Sequence, residues 1–217
     1  MGRYNLSMNA FDTPAELYFS VDIEATGPIP GPYSMSSFGA TLAAVRMKSG
    51  EIVRPATEAT FYSKLAPLEG SGYDDQAIMV EVRPGYSADP DTPEARFEAM
   101  KLDGEAPLDA MNRFSSWIEG VKSAHSGARA IFAAYPLMFD WLFVRWYFGF
   151  FGVHNPFGFS GCLDMKSYYS AKFNALVGRS TKRHMPKRLL KSDAPHSHHP
   201  LDDARGQGDL LFNLLTE

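Results

Sequence analysis

Apolar side chains run almost unbroken over residues 17–23 (Leu17, Tyr18, Phe19, Val21 and Ile23, with Ser20 between) and stop at acids. Such a run leaves no polar face for water, so it predicts a central strand covered on both sides. After a turn-rich stretch at 27–32, residues 34–47 and 57–65 have strand composition and predict a three-strand meander with the first. Residues 66–106 are rich in Pro, Gly and Asp, with a short helical pattern over 93–101. Leu108, Met111, Phe114, Trp117, Ile118 and Val121 recur at intervals of three and four, the period of an amphipathic helix over 107–121. Residues 130–134 predict a strand parallel to the first, and 137–148 a mostly buried helix. A second turn-rich patch leads to a short strand at 162–163 and a helix over 165–175 with Asp164 as its N-cap. A basic segment, 179–193, precedes a closing helix over 200–215, whose first turn accepts Pro200. A meander followed by alternating helix and strand implies an α/β fold, a mixed β-sheet flanked by helices. Residues 1–14 read as a flexible lead-in, and the whole chain, 1–217, as a single domain.

Composition narrows this picture. At 217 residues, 45% of them apolar, the chain can bury one substantial core. A formal charge of −4 excludes indiscriminate polyanion binding and leaves any affinity for nucleic acid to local basic patches and cations. Cys162 is the only cysteine, which excludes an internal disulfide and a cysteine-rich zinc site and fits a reducing, cytoplasmic setting. No basic-then-apolar leader opens the sequence. The most apolar stretch, 141–153, is too short and too interrupted by Arg145, Gly149 and Gly152 to cross a bilayer, so no membrane partner is expected. Large apolar helix faces would permit a homodimer.

Three acidic segments carry the candidate chemistry. In Asp22-Ile23-Glu24-Ala25-Thr26-Gly27, strand alternation puts Asp22 and Glu24 on one face. Neighbouring carboxylates at the end of a buried strand need protons or cations to coexist, and oxygen donors suit magnesium or manganese. A strand simply ending at a polar turn reads the same way. Phe139-Asp140 follows the 130–134 strand and places a carboxylate at the sheet edge where α/β folds bind ligands. Taken alone, the segment is better explained by ordinary acid-at-helix-start chemistry. His196-Ser197-His198-His199-Pro200-Leu201-Asp202-Asp203 offers three histidines and two aspartates, which the residues alone do not distinguish from a loose His-rich tract.

In this order, the three segments resemble the motifs of the DEDDh exonucleases, the superfamily of polymerase proofreading subunits, RNase T and oligoribonuclease. The first motif is Asp-x-Glu, often followed by Thr or Ala, any residue and Gly. The second ends in Phe-Asp at a helix start. The third is His, four residues, then Asp, which selects His198 and Asp203, with Leu201 and Ala204 in the expected places. The resemblance spans roughly residues 17–215. It implies a ribonuclease H-like fold and two magnesium or manganese ions held by Asp22, Glu24, Asp140 and Asp203, Asp22 being shared by both. His198 would be the general base, imidazole being the side chain that titrates near neutrality. It further implies 3′–5′ hydrolysis of phosphodiester bonds in single-stranded nucleic acid, RNA being favoured over DNA. A catalytically weak nucleic-acid-binding protein and a hydrolase of short oligonucleotides are the alternatives.

The chain departs from the family pattern at Pro200, which replaces the usual Ala, and in Ala-Tyr-Pro-Leu-Met before Phe139, which lacks the common Asn or His. These positions bear on substrate contacts more than on metal ligands. By proximity to the first motif, Ala25, Thr26 and Phe38 are candidates to pack against the terminal nucleotide, with core or turn packing as the other reading. Lys187 and Arg188, within the basic segment, are candidates to follow the phosphate backbone of a strand, or belong to a solvated loop.

Overall fold

The computed structural model describes residues 13–80, 92–195 and 197–217, so most of the expected lead-in lies outside the described residues. Its centre is β1 (Pro14–Ala25), and the expected run of buried residues occupies its middle. Leu17, Phe19, Val21 and Ile23 face one core and Tyr18 the other, so a single strand supplies both. This is why the sequence shows no polar alternation before the acids.

β2 (Met35–Met47) pairs antiparallel with β1. The third strand of the expected meander, 57–65, is β4 (Thr60–Lys64), and a two-residue strand ahead of it, β3 (Ile52–Val53), was not signalled; both pair antiparallel with β2. β5 (Arg129–Ala134) lies parallel to β1 on its other side, and β6 (Cys162–Asp164) parallel to β5. The sheet order is β3-β2-β1-β5-β6, with β4 beside β2. It is therefore mixed, antiparallel on one side of β1 and parallel on the other, as expected.

Helices cover both faces. α1 (Asp75–Val80), which the sequence pattern did not signal, and α2 (Pro93–Asp103) make a small separate cluster through Ile78, Phe97 and Met100. α3 (Pro107–Ala124) buries Ala110, Met111, Phe114 and Ile118, and α4 (Leu137–Phe151) buries Phe143, Val144, Tyr147 and Phe148. Both pack on the face that carries Phe19 and Phe38. α5 (Met165–Lys172) begins at Asp164, whose carboxylate accepts from Lys166 and Ser167 N–H as the expected N-cap. The same carboxylate accepts from Leu137 N–H at 3.0 Å and so ties α4's first turn to β6. Instead of a plain loop, the basic segment contains 3-10 turns at Val177–Arg179, Lys182–His184 and Lys187–Leu190.

α6 (Pro200–Thr216) crosses β1 and β2 on the second face, burying Leu210, Leu211 and Leu214. It can lie this close because small residues meet at the crossing. A Cβ on Gly39 of β2 would stand 2.4 Å from the backbone nitrogen of Leu201, and one on Gly208 would stand 3.1 Å from Ala43. No helix among the described residues is long and apolar enough to cross a membrane.

Candidate active site

Asp22 and Glu24 stand two apart at the end of β1, and Asp203 sits in the first turn of α6. The close crossing of α6 brings these together: one ligand oxygen from each of the three lies within 4.8 Å of the others. Asp140, in the first turn of α4, is buried and accepts the Ile23 N–H at 3.0 Å, which anchors it between the two acids of the first motif. Strand alternation, the close approach at Gly39 and the start of α4 thus bring four carboxylates to one end of β1.

These charges oppose one another. Burial pushes the Asp22 carboxyl well above the usual range, and repulsion from Asp140, Glu24 and Asp203 adds to it. Burial raises Asp140 to about 7, although the Ile23 N–H, its own backbone N–H and the Lys182 charge pull the other way. A cluster of oxygen donors that resists its own ionisation fits hard divalent cations. Lys182 supplies a positive charge that reaches both Asp22 and Asp140. It lines a pocket of about 120 Å³ together with Ser192, Asp203 and Gln207. A larger hollow of about 600 Å³, on the outer side of α4 at Leu142, Arg145, Trp146 and Phe150, contains none of the acids.

The third segment separates into distinct roles. His199 is the N-cap of α6, its Nδ1 accepting the Leu201 N–H at 3.3 Å, and its ring lies 4.3 Å from that of Tyr62. Asp202 accepts the Ser197 hydroxyl at 2.6 Å and stays on the loop side. His198 is exposed and adopts a left-handed backbone, φ 55°. The contacts that assemble the carboxylates do not include it. His196 lies outside the described residues.

Three of the candidate substrate contacts follow the other reading, core or turn packing. Phe38 is fully buried and packs against Phe61 and Phe114, because it pairs across the strands with Ile23 and shares that residue's face, opposite Asp22. Thr26 is also fully buried. Its hydroxyl donates to Gly72 O at 2.8 Å and accepts from Ser34 N at 2.9 Å, which closes the turn after β1. Ala25 belongs to the same core as Phe38. In the basic segment, the Arg188 guanidinium is paired with Glu217, while Lys187 is exposed.

One residue went unnoticed in the sequence. Gln207 donates from Nε2 to Asp22 Oδ1 at 2.5 Å and accepts the Tyr135 N–H at 2.9 Å. Its spacing of four from Asp203 was the available signal.

No protein-family model matches the chain. The 3′–5′ DNA exonuclease Cap18 of Escherichia coli is 33% identical to it over 205 residues, 94% of each chain. The chain belongs to the DEDDh 3′–5′ exonuclease superfamily. The nuclease domain of 3′hExo, a DEDDh family member solved with rAMP, superposes on this exonuclease with a TM-score of 0.62 at 13% identity, over 92% of this chain and 91% of that one. E. coli exonuclease I in complex with a dA16 oligonucleotide gives 0.57 at 13% identity, covering 93% of this chain but 41% of that longer one. At such identities these two structures speak for the ribonuclease H-like fold. This exonuclease is a metal-dependent enzyme acting on nucleic acid.

Proposed function

We propose that the enzyme removes nucleotides from the 3′ end of single-stranded DNA, with two magnesium or manganese ions held by Asp22, Glu24, Asp140 and Asp203. The observation that carries this is the convergence of Asp22, Glu24 and Asp203 within 4.8 Å, with Asp140 anchored beside them on Ile23. Bound divalent ions would supply positive charge to the phosphodiester and make water a better nucleophile. The four carboxylates would hold the cations at this end of β1, where the phosphate must come to meet them. His198, exposed at the mouth of α6, takes a proton from the attacking water. Water's oxygen bonds to phosphorus, the bond to the preceding nucleotide's 3′ oxygen breaks, and that oxygen takes up a proton to give a new 3′ hydroxyl. Lys182 is a basic side chain whose charge reaches Asp22 and Asp140, and it attracts the phosphate.

DNA is preferred over the RNA favoured by the motifs because the relative that aligns over almost the whole chain is a DNA exonuclease. Matched, labelled DNA and RNA oligomers incubated with and without manganese test the proposal. Mononucleotides should be released from DNA faster than from RNA, and the Asp22→Asn variant should release none. Equal or faster cleavage of RNA overturns the substrate, and full activity of the variant overturns the site.

A further inference from the structure

Gln207 lies one helical turn beyond Asp203, on the same side of α6. It is 5% exposed, and both ends of its amide are in use. The carbonyl oxygen accepts the backbone N–H of Tyr135, which directly follows β5 and precedes α4. That bond fixes which way the amide faces. Flipped, its NH2 would meet the Tyr135 N–H, and its oxygen would meet a carboxylate. The NH2 is therefore committed to Asp22 Oδ1. One side chain links β1, the β5–α4 junction and α6, the elements that deliver the four acids.

From this we infer that Gln207 is a positioning residue for the metal site, holding one oxygen of Asp22 so that the carboxylate keeps a single orientation toward the cations. The inference rests on Asp22 being a metal ligand, as proposed above. The residue type matters. Lysine or arginine here would neutralise Asp22 and compete with a cation, and glutamate would add a fifth carboxylate to a cluster that already repels itself. A neutral amide donates a hydrogen bond without altering the charge that attracts the ion, as groups behind metal-binding carboxylates commonly do.

The test is manganese binding by isothermal titration calorimetry, on the full chain, for wild type, Gln207→Leu, Gln207→Glu and Asp22→Asn. Gln207→Glu keeps an acceptor for Tyr135 and replaces the donor to Asp22 with a carboxylate that repels it. Both Gln207 variants should bind manganese roughly 10–100-fold more weakly. Their KM for an oligonucleotide should stay near wild type, and kcat should recover largely at saturating manganese, a pattern that general loosening of the fold would not give. If Asp22→Asn loses manganese while both Gln207 variants keep wild-type affinity, this inference fails and the site survives. If Asp22→Asn binds manganese as wild type does, the underlying reading of the site fails. Should Gln207→Leu not fold, Gln207→Glu decides. Failure of both to fold overturns the inference, because Gln207 would then be a structural residue.

Discussion

Without cations, Asp140 should destabilise the protein it serves. Its pKa near 7, against an ordinary 3.8, corresponds to about 4 kcal/mol acting against the ionised carboxylate at pH 8. The sign follows from linkage. A carboxyl whose pKa is raised on folding contributes no penalty below its unfolded value, and stability is lost as pH climbs from about 4 to about 7. Asp140→Asn removes the charge, and its side-chain carbonyl can still accept the Ile23 N–H. Some of the 4 kcal/mol is retained as the cost of burying an amide. In chelator at pH 8, the variant should therefore melt roughly 4–10 °C above wild type. At pH 5 the advantage should fall below half, because most of the wild-type carboxyl is then protonated. Saturating manganese should reverse the order, raising wild type and leaving the variant behind. Differential scanning calorimetry across these conditions checks all three. A variant no more stable than wild type at pH 8, or an advantage that does not shrink at pH 5, refutes the reasoning.

Three further outcomes are expected. Gly39→Ala forces a methyl against the Leu201 backbone and should cost about 1–3 kcal/mol, read as a lower melting temperature and reduced activity as α6 lifts from β2. Ser20 Oγ is buried with no hydrogen-bond partner among the described residues, so Ser20→Ala should leave urea stability unchanged or raise it by up to about 1 kcal/mol; a clear loss would reveal a partner. Lys182→Ala should raise KM for an oligonucleotide and reduce the salt slope of binding by about one, whereas Arg188→Ala, whose partner is Glu217, should change neither.

The parts of the fold governed by local pattern were legible. β1 announced burial on both faces by its unbroken apolar run, and α3 by the spacing of Met111, Phe114 and Ile118. What depends on register was not. Phe38 looked like a neighbour of the first motif, but its pairing with Ile23 rather than Asp22 turns it to the opposite face, and nothing within β2 records that pairing. For Thr26, contact and turn packing both stayed open, because its partners, Ser34 and Gly72, are supplied by two later loops. The two-residue β3 likewise went unsignalled, because its existence depends on how β2 meets its neighbours. Motif order and spacing singled out the acids at 22, 24, 140 and 203. The amide at 207 went unseen because its role depends on which face of α6 meets β1.

The hydrogen bond from Gln207 to Asp22 joins residues 185 positions apart. On a ribosome adding about 5–20 residues per second, Asp22 is made about 10–40 s before its partner. During that time β1 carries its acids without Asp203, and the cation site stays incomplete however well the earlier strands have paired. A nascent chain arrested before residue 200 should therefore hold no cleavage activity toward the nucleic acid around it. Completion of the acid cluster therefore waits on α6.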